Sequence, residues 1–356
     1  MVCNFILAII YLTHRRIKGI VLSMKAPETL QQAIVYFSDP ERAFEYAKML
    51  RWPDGKISCP RCGSEKNSFI KTRRLWFCYG CQKQFTLKVG TIFEDSALGL
   101  DKWMTAFWML VNCKNGVSSH ELGRSLGITQ KSAWFMLQRI RLVLQNKSLV
   151  KLGGPGSEVE VDETFIGGKA RFMHKSKRLK SKVRENNWGK AIVMGMLERD
   201  GMVSTRMIPD RSKNALRDAI TDVIDQGSVI YADELTAYPF AIGDDYAHKV
   251  VNHLEKYVDG AVHVQGMENF WSLLKRELTG TYISVEPFHL FRYVDEQAFR
   301  YNTRKDESGN KIKDAARFAE ALSRVLGKRL TYSELTGKSD SPHHLATGTG
   351  KTEVPF

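Results

Sequence analysis

Four cysteines stand at a metal-binding spacing: Cys59-x2-Cys62, fifteen residues, then Cys78-x2-Cys81. Each CxxC turn can aim two thiolates at one tetrahedral ion, while the chain between them returns as a hairpin. That is the pattern of a structural zinc site, one ion per chain. Four thiolates leave no open position, so such a zinc would fold the segment and not act on a substrate. Pro60, Gly63 and Gly80 supply tight turns, and Trp76, Phe77 and Phe85 give a small knuckle its packing. Cys3 and Cys113 stand apart; Cys113 lies in an apolar helical stretch and reads as a buried small hydrophobe. Cysteines used this way suit a reducing compartment and exclude a disulfide scaffold.

A second chemistry belongs to carboxylates. Asp162 lies inside the strand-like run SEVEVDETFIGG, where a charge is costly without a partner or a metal. Asp233 ends the short apolar strand GSVIYADE, and Glu268 lies on a helix expected from Gln265 to Leu278. The apolar stripe of that helix is Met267, Phe270, Trp271, Leu274 and Leu278; Glu268, Ser272 and Lys275 fall on the opposite side. Three converging carboxylates are what two Mg²⁺ ions need. Hard cations take oxygen ligands, and a metal pair clamps the attacking and leaving oxygens in phosphoryl transfer. Lys275, about two turns beyond Glu268, could hold a phosphate. Neighbouring acids, Glu160, Glu163 and Glu234, leave the ligand set open, and His253 and His263 precede the helix closely enough to contact phosphate.

These groups need elements to hold them. The chain has 356 residues, 43% hydrophobic and 26% charged, which suits two or three globular domains and excludes a mostly disordered chain. Residues 27–52 read as helical, with Ser38 or Asp39 capping and Pro40 in the first turn. The stretch GVSSHELGRSLGITQKSAWFMLQRIR reads as helix, turn at Gly127, helix. In a DNA-reading motif of that kind Gln130, Lys131 and Ser132 sit at the groove end of the second helix. A break at LGGPGS then opens a region of alternating strands and helices, which implies a mixed α/β layer domain. The expected boundaries are 1–53 helical, 54–95 zinc ribbon, 96–150 helix-turn-helix, 155–337 catalytic and 338–356 a disordered tail.

The charge balance points to the partner. Lys and Arg number 53 against 39 Asp and Glu, a formal charge of +14. The stretch 54–88 holds eight basic and two acidic residues, Arg73 and Arg74 among them. The stretch 169–190 holds nine basic residues and Glu185, with Lys169, Lys175, Arg178 and Lys180 as backbone-gripping candidates. Together they account for the whole excess, and their clustering favours DNA over a membrane. The apolar run Val2–Leu12 is too short to span a bilayer, and its basic residues follow it, unlike those of a signal peptide. Translation is expected to start at Met24, and the protein to be cytoplasmic and nucleoid-associated.

In order, CPRCGS, WFCYGCQKQFTLKVGTIFEDS, VEVDETFIGGK, YADELTAY, ENFWSLLKRELTGTY, YVDEQAFRYNTR and GKRLTYSELTG resemble the bacterial insertion-sequence transposases of the ISXO-like group (insertion-sequence family fifteen-ninety-five). The likeness runs from Leu30 to Gly337. It implies an RNase H-like catalytic domain, a mixed sheet flanked by helices, behind the zinc ribbon. It also implies terminal inverted repeats as substrate and an acidic triad of Asp162, Asp233 and Glu268 holding two Mg²⁺, for which Mn²⁺ can substitute. Lys275 is the basic residue that follows on the helix. The family often carries Asn three residues before the Glu; here the position is Gln265, whose amide could ligate weakly. Cutting two ends and joining them to a target implies at least a homodimer on DNA.

Overall fold

The computed structural model describes residues 27–145, 151–167, 190–199, 201–233, 238–251, 264–306 and 308–337. They divide into two compact units, one within residues 1–110, 119–143 and 313–356, the other within 111–118 and 144–312.

In the first unit, the stretch read as helical from 27 to 52 forms two helices, α1 (Leu30–Phe37) and α2 (Pro40–Arg51). The break is local chemistry. Asp39 adopts an extended backbone, and its Oδ1 accepts from the N–H groups of Glu41 and Arg42 at 2.8 and 3.4 Å. Ala43, Tyr46, Ala47 and Leu50 are buried, as their spacing predicts. A three-stranded antiparallel sheet follows: β1 (Asn67–Ile70), β2 (Leu75–Cys78) and β3 (Gln84–Thr86). Then come α3 (Leu100–Asn112), α4 (Ser119–Leu126) and α5 (Gln130–Leu144). Gly127 turns between the last two at φ +60°, and Thr129 Oγ1 caps α5 by accepting from the Ser132 N–H at 3.2 Å. Cys113, expected inside, is only partly covered just beyond α3.

A later segment joins this unit. Phe318, on the helix Asp314–Leu322, packs against Phe37 at 5.7 Å, Trp108 at 5.0 Å and Tyr46 at 6.2 Å between ring centroids. Residues 313–337 therefore group with the N-terminal helices. The reason is non-local packing, which no spacing rule encodes.

The second unit is built on β5 (Glu158–Ile166), β6 (Ala191–Glu198), β7 (Val203–Ile208), β9 (Val229–Asp233) and β10 (Ala247–Val251); the short β4 (Leu152–Gly153) and β8 (Ile224–Asp225) pair separately. The sheet order is β10-β9-β5-β6-β7. β5, β6 and β7 pair antiparallel, and β9 and β10 run parallel to β5. This is a mixed α/β layer, as expected. One face is covered by α6 (Lys213–Val223), whose Leu216, Ala219, Ile220 and Val223 pack with Val159, Val161, Met194 and Met196. Ser212 caps that helix, and α7 (Tyr238–Ile242) lies on the same side. The other face takes α8 (Gln265–Glu277) and α9 (Pro287–Asn302) through Met267, Phe270, Trp271, Leu274, Leu290 and Val294. Burial on both faces explains why β6 reads AIVMGMLE with almost no alternation.

At the end of α8 one turn widens to a π-helix over Leu278–Tyr282. There Arg300 of α9 is shared by two buried carboxyls. Its Nη2 lies 2.6 Å from Glu277 Oε2, its Nη1 donates to Glu296, and Tyr282 donates to Glu296 at 2.7 Å. Burial pushes the Glu277 carboxyl up to about 8, against the Arg300 guanidinium beside it, which favours the ionised form. Because the folded value lies above the unfolded 4.5, the stabilisation is complete below 4.5 and is lost as pH rises through about 8. Unfolding free energy measured from pH 5 to 9 should fall along this limb, and Glu277→Gln should flatten it.

Candidate active site and metal centre

The four cysteine sulfurs of the ribbon all lie within 4.8 Å of one another, with Cys59–Cys81 at 3.8 Å and Cys62–Cys78 at 3.5 Å. A tetrahedron with Zn–S bonds of about 2.3 Å has edges of about 3.8 Å, so the set fits a structural zinc. Each knuckle closes by backbone bonds: the Cys59 N–H donates to Ser64 O at 2.9 Å, and the Cys78 N–H to Lys83 O at 3.0 Å. The left-handed residue is Gly63 (φ +74°) in the first and Gln82 (φ +54°) in the second. Gly80 serves otherwise: a Cβ there would sit 2.8 Å from Ser64 Cβ, so its bareness lets the knuckles meet. The Cys81 N–H leads the interactions that hold the Cys78 thiol down at about 6, toward the thiolate a metal needs. Trp76 is buried between Phe44 of α2 and Phe85, stacked at 5.9 and 5.7 Å, which ties the ribbon to the helices. Cys78→Ser or strong chelation should lower the zinc content from about one ion per chain to none and melt the ribbon, read by atomic emission and near-ultraviolet circular dichroism.

Among the described residues these cysteines form the one cluster of three or more potential metal ligands, but the Asp233 side chain lies outside that description. Asp162 sits in the middle of β5, half-buried. Its Oδ1 accepts from the Glu163 N–H at 2.8 Å, and its Oδ2 from the Trp271 Nε1–H of α8 at 3.0 Å. Asp233 ends β9, the strand beside β5. It lies two residues beyond Tyr231, the partner of Glu160, as Asp162 lies two beyond Glu160. Gln265, Glu268 and Lys275 are exposed on α8, while Met267, Phe270, Trp271 and Leu274 are buried, the two-sided helix the sequence predicts.

The neighbouring acids separate by face. Glu163 turns to the α7 layer, where its Oε1 accepts from the Tyr238 hydroxyl at 2.7 Å. Glu160 stays on the α8 side, 2% exposed, with Oε2 accepting from the Met267 N–H at 3.0 Å and Oε1 3.4 Å from Arg199 Nε. Glu158, beside it, accepts from Tyr231 and from Arg199 at 2.8 Å; the Tyr231 hydroxyl, with Arg199, holds its carboxyl below the usual range. Glu234, His253 and His263 lie outside the described residues.

The expected DNA contacts divide. Arg73 is exposed in the turn Lys71–Arg73. Arg74 instead pairs with Glu41 at 2.6 Å, both groups exposed. Lys88, counted in the basic stretch, points inward to the Ser96 and Leu98 carbonyls at 2.8 and 2.7 Å. Gln130 donates to Ser119 Oγ at 2.9 Å, and Lys131 Nζ lies 4.8 Å from the Tyr332 ring centre. Lys169, Lys175, Arg178 and Lys180 lie outside the described residues.

Sequence reasoning missed three participants. Trp271 reads as core, yet its indole N–H holds Asp162. Glu160 reads only as one of the acids that leave the ligand set open, and its partners, the Met267 N–H and Arg199, come from the fold. Gly195 pairs directly with Asp162 across β5 and β6, and a Cβ there would lie 2.2 Å from Met267 Cε and 2.7 Å from the Trp271 ring. Gly195→Ala should therefore overpack the seat of α8 and cost about 1–3 kcal/mol in denaturant unfolding.

Residues 151–302 match an ISXO2-like transposase domain, and residues 38–84 match a transposase zinc-ribbon domain. The first match contains Asp162, Asp233, Glu268 and Lys275; the second contains the four cysteines. The chain is 26% identical over 255 residues to a protein in transposable element ISH50 of Halobacterium salinarum, covering 68% of this chain and 84% of the relative. A transposase-like protein of Haemophilus influenzae is 24% identical over 106 residues, 30% of this chain and 85% of the relative. No helix among the described residues is long and apolar enough to cross a membrane. With the ribbon, the mixed sheet and both matches in place, the chain carries an ISXO2-like transposase domain behind an N-terminal transposase zinc ribbon.

Proposed function

We propose that this transposase binds the terminal inverted repeats of an insertion sequence, cuts the DNA there with Mg²⁺ and joins the freed ends to a target. The observation that carries the reading is the Trp271–Asp162 hydrogen bond, because it ties the strand bearing Asp162 to the helix bearing Glu268. With Asp233 ending the adjacent strand, all three donors are hard carboxylate oxygens, which fits Mg²⁺. Asp162, Asp233 and Glu268 are the residues that would hold the ions. When bound, the ions supply Lewis-acid stabilisation of the attacking and leaving oxygens of an in-line displacement. Lys275 holds a phosphate on the exposed side of α8, and no covalent protein intermediate is required. Water attacks the phosphodiester at the element end, leaving a 5′-phosphate on one side and a free 3′-hydroxyl on the other. That hydroxyl then attacks a target phosphodiester, forming the new P–O bond as the target strand's own 3′-oxygen leaves as a hydroxyl.

The ribbon and the helical region 96–150 grip the ends, and residues 169–190 grip the backbone. As a helix-turn-helix, the second helix reads DNA with its first turn alone: Gln130 and Lys131 are exposed, whereas every residue from Met136 to Arg141 is buried. Two ends held together call for at least two copies on DNA, in the nucleoid.

Cleavage of element-end DNA in Mg²⁺ or Mn²⁺ tests this reading. Asp162→Ala and Glu268→Ala should lower the rate by at least about a hundredfold while DNA binding persists. If only Gln265→Ala abolished cleavage, Gln265 would replace Glu268 as third ligand. Undiminished function in Asp162→Ala would make the chain a DNA-binding regulator.

A further inference from the structure

We infer that Glu160 is a positioning residue for the proposed metal site. Its buried carboxylate seats the start of the helix carrying Glu268 against the strand carrying Asp162, and Trp271 completes the clamp on Asp162 itself. The inference rests on the reading of Asp162 and Glu268 as metal ligands.

A helix start leaves backbone N–H groups without partners, and α8 has no side-chain cap of its own: Val264 occupies the cap position. Glu160 supplies the missing acceptor from the neighbouring strand, at the Met267 N–H, one residue before Glu268. The fit is close: a Cβ on Gly266 would stand 2.8 Å from Glu160 Oε2 and 2.4 Å from Leu197 Cδ2. A carboxylate with 2% exposure is costly to bury, and Arg199 and the positive end of α8 offset it. A Ser at residue 264 would cap the helix without burying a charge. What Glu160 adds is a tie between two elements. It lies two residues before Asp162 on one strand face, so Glu160–Met267 and Asp162–Trp271 are successive rungs joining β5 to the first turns of α8. Together they fix how far Glu268 stands from Asp162, a distance to which metal affinity is sensitive.

Mn²⁺ binding to the DNA-free, zinc-loaded protein, followed by loss of the free-ion paramagnetic resonance signal, reads the clamp without catalysis. The Mg²⁺ half-saturation of cleavage gives a second readout. Glu160→Ala should weaken both by about 10–100-fold with zinc retained; Glu160→Gln keeps an acceptor and should stay within about threefold. Trp271→Phe keeps the ring and loses the N–H, and should weaken both by about tenfold. A folded Glu160→Ala with wild-type metal dependence and lower stability alone would overturn the inference. If that variant does not fold, unchanged Mn²⁺ affinity in Trp271→Phe overturns it instead. Should the wild type bind no Mn²⁺, or Asp162→Ala bind it as well as wild type, the metal reading itself fails and takes the inference with it.

Discussion

The catalytic unit depends on how one amphipathic helix sits on one strand. α8 must press its apolar stripe onto the sheet and still present Glu268 and Lys275 on its exposed side. A bare residue beneath the helix, Gly195, makes the close approach possible. Two polar rungs from β5 then set its height and rotation, Glu160 at its first turn and Asp162 at Trp271. Apolar packing alone is tolerant of small slides, because many arrangements bury similar area. Hydrogen bonds with defined donors and acceptors are not, and here they fall at Asp162 and at its neighbour on the same strand face, Glu160.

Much of this was legible in the chain. The cysteine spacing, the switch to strand alternation after LGGPGS, the caps at Asp39 and Ser212 and the two-sided pattern of α8 all report local geometry, which a sequence encodes directly. The acids beside Asp162 were ambiguous because strand alternation assigns faces but not partners. Only the opposing layers, Tyr238 for Glu163 and Met267 for Glu160, tell them apart. Trp271 is buried on the stripe as its spacing predicts, but its bond to Asp162 is not in the pattern: an indole is apolar by area and polar at one atom, and pattern counting sees the area. The placement of residues 313–337 with the N-terminal helices rests on Phe318 meeting Phe37 and Trp108, contacts far apart along the chain.

Charge is the remaining case where a count misleads. The basic stretch around the ribbon looks uniform in sequence, yet its members serve different ends. Lys88 gives its protons to the Ser96 and Leu98 carbonyls, and burial lowers its pKa. Arg74 is spent on Glu41, an exposed pair worth at most about 1 kcal/mol and one a phosphate could displace. Arg139 of α5, 4% exposed, donates to the carbonyls of Leu330, Ile92 and Glu94 and so splices three segments of the first unit. A count of basic residues around the ribbon therefore overstates what an anionic partner can meet there. Around the ribbon, the side chains left open to an anionic partner include Arg73 and Lys71, which stand exposed on the turn between β1 and β2. Counterion release counts phosphates actually neutralised, so the ribbon's share of any salt dependence should follow this smaller set and not the composition.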